Sequence, residues 1–441
     1  MRYDVILIGG GTAGLAGAFR LAEAGKRVLL AEPKALGGTC LNTGCIPSKA
    51  MLHASGLYAH IQCAETFGIA ASPQIKFSKL MARVRSFVTA GQEHIEKSIR
   101  HPHLTLLREK ARLAGNGKVE IAGKIYTAKR IIIATGSINH PPPIPGLEKV
   151  GYYTNENILE LKKLPKRVAC IGGGYISMEY ATFFSQLGCK VMVLESAPHA
   201  LGMLDDDVRK ELLELNSKIT IQTKIKIRRI RESRGHIAVE TSKGTLLVDA
   251  LIVATGRAPN TAGLNLASAN VDTDEKGAIK VDNEFRTSNR RVYAVGDCTG
   301  KAMFAHTAKR EIHFVVNTLL LEPRREANLD LVPWVVFTSP PVAGVGLSEG
   351  GAKEKGFRHG VLKASFSDVG RAAILGEEKG LAKIVYDLKT GRILGSTVIG
   401  PHADILIHEI VALMNAGATV SQLRNVIHAH PTLSEIFGEL E

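Results

Sequence analysis

A chain of 441 residues with 45% hydrophobic and 22% charged residues has the balance of a folded globular protein rather than a disordered or membrane one, and is too long for one ordinary core. The formal net charge of +14 is spread over scattered Lys and Arg, with no aromatic-interleaved basic patch, so nucleic-acid binding is not expected. The longest apolar runs are strand-sized, so no membrane association is expected, and direct entry from Met1-Arg2 into Tyr3–Ile8 leaves no room for a signal segment, making the cytoplasm the expected address.

In chain order, an apolar strand runs into Gly9-Gly10-Gly11-Thr12-Ala13-Gly14, then a helix with Leu15, Phe19 and Ala22 in register. Glycines there permit a tight turn and let a pyrophosphate approach the helix N-terminus, where unpaired amides and the macrodipole favour anions. A second strand, Arg27 to Ala31, ends at Glu32, where a carboxylate can hold the ribose hydroxyls of an adenosine.

Next comes Gly37-Gly38-Thr39-Cys40-Leu41-Asn42-Thr43-Gly44-Cys45-Ile46-Pro47-Ser48-Lys49. Two cysteines five residues apart would lie roughly 7.5 Å apart along a regular helix, beyond the usual Cα separation of a disulfide, so pairing them requires a local break that Gly44 permits. A thiol at a helix start has a lowered pKa, which makes such a pair switchable. A zinc half-site, a structural staple and two unrelated thiols are the competing readings. Ligation would want a second Cys/His pair and a staple would want more cysteines in a secreted chain, and neither is present among Cys63, Cys170, Cys189 and Cys298.

Helical patterns follow over Ser48 to Ile61 and Phe77 to Ile99; then Leu104 to Ile133 alternates and turns at Asn116-Gly117, as a hairpin or meander would. Pro141 to Gly146 is the strongest boundary signal. Beyond it the first pattern repeats: strand Arg167–Ile171, turn Gly172-Gly173-Gly174-Tyr175-Ile176-Ser177, and a strand ending at Glu195. Ser177 stands where Gly or Ala is preferred, so this helix should sit farther from its strand. Leu251 to Gly256 echoes Ile131 to Gly136, so two dinucleotide sites are expected. Glu195 favours NAD over NADP, since no arginine between Ser196 and Asp207 offsets its charge. The run Arg228-Arg229-Ile230-Arg231 reads as a solvated strand and turn. From Val332 the composition changes to strands, a helix over Asp404–Asn415, and His428-Ala429-His430-Pro431-Thr432-Leu433-Ser434-Glu435. Taken alone, His430 and Glu435 suit core or surface roles as well as acid–base chemistry.

With these stretches in one chain and in this order, the sequence resembles, almost residue for residue from Gly37 to Lys49, the class I pyridine nucleotide-disulfide oxidoreductase family. The resemblance covers essentially the whole chain. It implies an α/β fold with two Rossmann-like dinucleotide-binding domains and a C-terminal α+β dimerisation domain: residues 1–146 for FAD, 147–263 for NAD, 264–330 completing the FAD site, and 331–441 at the interface of a homodimer. FAD would be held by Gly9, Gly11, Gly14, Glu32, Gly38, Thr39, Lys49, Ala111, Thr135, Gly136, Asp297 and Ala305, and NAD by Gly172, Gly174, Tyr175, Ile176, Glu195 and Gly256, with no metal. Cys40 would be the interchange thiol and Cys45 the thiol facing the flavin. Lys49 and Glu179 would pair beside the flavin ring, and His430 would be the base, oriented by Glu435 and offered to the partner's disulfide, with His428 in support. Of the family's branches, the one oxidising dihydrolipoyl groups on a carrier protein, by way of FAD to NAD, is expected. No cysteine follows Cys298 to serve mercuric-ion reduction, and Phe19 and Ser48 replace an arginine and a lysine of the glutathione-reducing branch. A specialised NAD(P)H-dependent disulfide reductase is the alternative. A non-catalytic flavoprotein binding partner would not need Cys40, Cys45 and His430 together.

Overall fold

Strands buried on both faces read as continuous apolar runs, and the first strand is of this kind: Val5 and Leu7 pack to one side, Ile6 and Ile8 to the other. The computed structural model describes residues 2–323 and 328–441. Strands β1 (Arg2–Ile8), β2 (Val28–Ala31), β3 (Leu104–Leu107), β4 (Ala111–Leu113), β5 (Lys118–Ile121) and β6 (Lys124–Ile133) lie in the order β3-β2-β1-β6-β5-β4. Helix α1 (Thr12–Glu23) covers one face, and residues around Leu264, Val271 and Ile279 cover the other. One expectation is corrected here. The stretch from Leu104 to Ile133 is not a single meander, because β3 runs parallel to β2, pairing Val28 with Leu104 through Ala31 with Leu107. Leu-Thr-Leu-Leu carries no periodicity that selects its neighbour, whereas the open edge of β2 does. The turn near Asn116 does join an antiparallel hairpin, β4 to β5.

After β7 (Ser137–Asn139), a second parallel sheet forms from β8 (Arg167–Ile171), β9 (Lys190–Leu194), β10 (Ile219–Gln222) and a later strand, Ala250–Val253, in the order β10-β9-β8 and then that strand. Between them, β11 (Ile227–Ser233), β12 (His236–Thr241) and β13 (Gly244–Val248) make an antiparallel sheet in which Ile230 is buried while Arg228, Arg229 and Arg231 stay exposed. Ala250–Val253 is β14, and β15 (Arg257–Pro259) pairs antiparallel with β7, tying the exits of the two parallel sheets together. β16 (Val292–Ala294) then returns to lie parallel to β6. The repeat holds to the residue: Ile8 pairs with Ile133 and Ile171 with Val253, each pair preceding a glycine turn.

The last sheet is antiparallel, in the order β17 (Trp334–Val336), β18 (Val342–Gly346), β21 (Ile393–Ile399), β20 (Leu381–Asp387), β19 (His359–Ser365), and the helix Ala403–Asn415 packs on it. Among the described residues no helix is long and apolar enough to cross a membrane.

A buried cation joins this sheet to the second one. Lys383 on β20 is 1% exposed, and its Nζ lies 3.0 Å from Asp205 and Asp207 and 2.8 Å from Glu349. Burial pushes the Asp207 carboxyl up, but hydrogen bonds from Lys363 and Lys383 outweigh it and hold the group down at about 2. Lys383→Met would strand these carboxylates without their buried partner, so urea denaturation should show a loss of about 3–5 kcal/mol. A depressed carboxyl stabilises above its unfolded pKa, so the contribution should fade as pH falls from the ordinary aspartate value of 3.8 towards 2. A variant as stable as the parent would mean the cluster is solvated.

Candidate active site

Both glycine turns end in a helix whose first amides have no side-chain cap and no acidic residue in the first turn: α1 after Gly11, and the helix Tyr175–Gln186 after Gly174. Such an end is an anion site. The two strand-end carboxylates are gripped in the same way: Gly10 N–H donates to Glu32 at 2.7 Å, and Gly173 N–H donates to Glu195 at 2.5 Å. At Gly14 a Cβ would fall 1.8 Å from the Gly9 carbonyl oxygen, so only glycine allows α1 to pack that close. Ser177 occupies the equivalent position and is fully buried. Gly14 itself is packed on Gly9 and does not line the cavity, so its part in the turn is to let α1 approach the strand.

The walls merge into one cavity of about 2060 Å³. It is lined by Gly9, Gly11, Glu32, Gly38, Thr39, Ala111, Thr135, Gly136, Asp297 and Ala305 on the first wall, by Gly172, Gly174, Tyr175, Ile176, Glu195 and Gly256 on the second, and by Cys40, Cys45, Lys49 and Glu179 between them. At Gly136, Gly174 and Gly256 a Cβ would meet nothing within 4 Å, so these walls are open to a ligand. Two anion-ready helix ends, each with a ribose-type carboxylate, fit one dinucleotide on each wall.

Helix α2 (Gly38–Asn42) carries Cys40, and α3 (Cys45–Gln62) begins at Cys45. The break between them is at Thr43 and Gly44, where a Cβ on Gly44 would lie 2.8 Å from the Thr39 carbonyl oxygen. That close approach folds the two short segments together. Both thiols are free, and they hydrogen-bond each other. The shared bond, then burial, pushes Cys40 well above the ordinary thiol range; the same bond, aided by the nearby Lys49 ammonium, lowers Cys45 to about 6 against the pull of burial. Of the two, Cys45 is thus the thiol whose anion is favoured. Lys49 Nζ is 2.9 and 2.8 Å from the two oxygens of Glu179 and 4.5 Å from the Phe337 ring centroid.

Three features were not foreseen from sequence. Arg257, half-buried against the cavity, donates to the Ser137 hydroxyl at 2.7 Å, and that hydroxyl donates to Asp297 at 2.5 Å. Asn155, 5% exposed, also lines the wall. Lys224 and Lys226 line it beside Glu195 and Ser196. An arginine after the Ala-Thr-Gly repeat was the one signal that could have revealed Arg257.

His430 and Glu435 lie outside this wall. His430 Nδ1 is 2.8 Å from Glu435 Oε1, the imidazole being 77% exposed, and Glu435 also accepts from Thr432 N–H at 2.8 Å. The His428 side chain is 8% exposed and pairs with Glu409 at 2.9 Å.

A dithiol set between two dinucleotide walls defines an oxidoreductase that moves electrons between a thiol pair and nucleotide cofactors. The model described as pyridine nucleotide-disulphide oxidoreductase matches residues 3–311, and the dimerisation domain of the same name matches 332–441, so the chain belongs to this family. It is an FAD- and NAD-dependent enzyme with a redox-active disulfide. A dihydrolipoyl dehydrogenase of Chlamydia pneumoniae is 36% identical over 99% of this chain and 96% of its own, and one of Thermus scotoductus is 38% identical over 98% and 95%. The HOCl-induced flavoprotein disulfide reductase RclA from Escherichia coli superposes with a TM-score of 0.91, at 30% identity over 99% of both chains.

Glu195 should give NAD a higher kcat/KM than NADP, and Glu195→Ala should narrow the ratio, because a carboxylate repels a 2'-phosphate. A parent enzyme preferring NADP would overturn the assignment of Glu195.

Proposed function

We propose that the chain oxidises dihydrolipoyl groups carried on a protein or domain, with Cys40 and Cys45 as the exchanging pair and NAD as final acceptor. The observation that carries this reading is the polarised dithiol between the two walls. In its oxidised form, a substrate thiolate attacks Cys40 sulfur, the Cys40–Cys45 bond breaks, and Cys45 departs as a thiolate. A thiol with a pKa of about 6 is a good leaving group. The second substrate thiol then attacks the substrate sulfur of the mixed disulfide, closing the product disulfide and releasing Cys40. The base taking the substrate proton is His430 of a second copy, held by Glu435. Bound FAD would accept the electron pair of the enzyme dithiol and deliver it to NAD. In this reading residues 1–146 and 264–330 hold FAD, with Asp297, Lys49 and the first glycine turn among its contacts; 147–263 hold NAD; 331–441 form the homodimer.

The similarity to dihydrolipoyl dehydrogenases along nearly the full chain supports this substrate class. Likeness to the E. coli flavoprotein disulfide reductase favours a second reading, a specialised disulfide reductase driven by a reduced nicotinamide. Steady-state rates separate the two. Dihydrolipoamide with NAD should exceed every tested disulfide with NADH or NADPH in kcat/KM; the reverse ranking would select the reductase.

A further inference from the structure

Asn155 stands in the second parallel sheet's territory yet grips the segment between the two cysteines. Tyr153 bridges to Ile252 on β14, with Tyr153 N–H donating to Leu251 O at 2.7 Å and Val253 N–H donating to Tyr153 O at 2.8 Å. The turn that follows is closed by Asn157, which accepts from Thr154 N–H at 2.7 Å and donates to Tyr152 O at 3.0 Å. From this rigid mount the Asn155 amide donates to Thr43 O at 3.2 Å and to the Thr43 hydroxyl at 3.4 Å. Its own oxygen accepts from Arg257 at 3.5 Å. Arg257, on β15 a few residues after β14, reaches the Thr39 hydroxyl, also at 3.5 Å. The two threonines flank Cys40.

We infer that Asn155 is a positioning residue for the dithiol: mounted on β14 through Tyr153, and with Arg257 of the β15–β7 ribbon, it holds Thr39 and Thr43 and so sets where Cys40 and Cys45 stand relative to each other. This rests on the reading of Cys40 and Cys45 as the exchanging pair. At the break between α2 and α3, Thr43 N–H closes α2 by donating to Thr39 O at 3.0 Å, while the Thr43 carbonyl is taken up by the Asn155 amide. A buried amide with both its donor and acceptor sides engaged holds one geometry, and removing it leaves partners unsatisfied. The mutual hydrogen bond of the two thiols, which separates their acidities, depends on that geometry. Charged or titratable groups face Cys45 from four elements: Cys40 on α2, Lys49 on α3, Glu179 on the helix Tyr175–Gln186, and Arg257 on β15. Arg257 is in turn faced by Asp297 and Glu156.

The test uses the reduced holoenzyme of the parent, Asn155→Asp and Asn155→Ala. The first variant is isosteric and keeps an acceptor for Arg257 but loses the donor to Thr43; the second removes both without adding charge. The readouts are the pH midpoint of the long-wavelength thiolate–flavin charge-transfer band and the rate of the dithiol half-reaction. Both variants should raise the midpoint by roughly one unit and slow the half-reaction about 10- to 100-fold, the range expected from small misplacements of reacting groups. The slowing of flavin reduction by NADH should be at least tenfold smaller. A normal band in the parent with unchanged midpoints and rates in both variants would overturn the inference alone. A parent with no band would overturn the reading of the pair, and the inference with it.

Discussion

Replacing His430 with alanine should slow the dithiol half-reaction about 10²- to 10⁴-fold, the usual contribution of a positioned general base. Flavin reduction by NADH should change far less, because no proton taken by His430 enters it. His430 is absent from the cavity wall that holds the thiols, projects three-quarters exposed, and is held by Glu435 in a region matching the family's dimerisation domain. In the proposed reading this base serves the dithiol of a second copy. Mixing His430→Ala chains with Cys40→Ser chains should then restore activity, since each heterodimer regains one complete site. Heterodimers that form but stay inactive would place both halves of the site in one chain. Glu435→Gln should cost less than His430→Ala, because the hydrogen bond to His430, the main cause of Glu435's lowered pKa, is weakened while the base remains.

Cys45→Ser should abolish turnover and remove the long-wavelength band of the partly reduced holoenzyme. The thiolate is what makes that band, and Cys45 is the thiol whose pKa is lowered, to about 6, chiefly by the Cys40 hydrogen bond and then by Lys49. A lowered thiol pKa means the anion is present above it, so in the parent the band should persist down to about pH 6 and fade below. Lys49→Met should move that midpoint upward. A band surviving in Cys45→Ser would assign the thiolate to another cysteine.

The segments legible in the sequence were those whose chemistry is local. Gly9 to Gly14 and Gly172 to Ser177 each announce a strand, a turn and a helix end within a few residues, and Gly37 to Lys49 carries its two thiols and the glycine that breaks the helix between them. Contacts across hundreds of positions were not legible. Arg257 meets Thr39 only because β15 pairs with β7, and Asn155 meets Thr43 only because Tyr153 joins β14. Lys383 reads as an ordinary strand lysine until Asp205, Asp207 and Glu349 close over it. β3 was misplaced for the same reason, since four apolar-rich residues do not encode their neighbour.

The most direct measurement follows the cysteines themselves. Oxidised holoenzyme is alkylated with iodoacetamide before and after anaerobic addition of dihydrolipoamide, and the labelled peptides are read by mass spectrometry. Cys40 and Cys45 should be protected before addition and labelled after it, with no change at Cys63, Cys170, Cys189 or Cys298. Label gained at any of those four, or Cys40 and Cys45 equally reactive before and after, would contradict the exchange on which the proposed function stands.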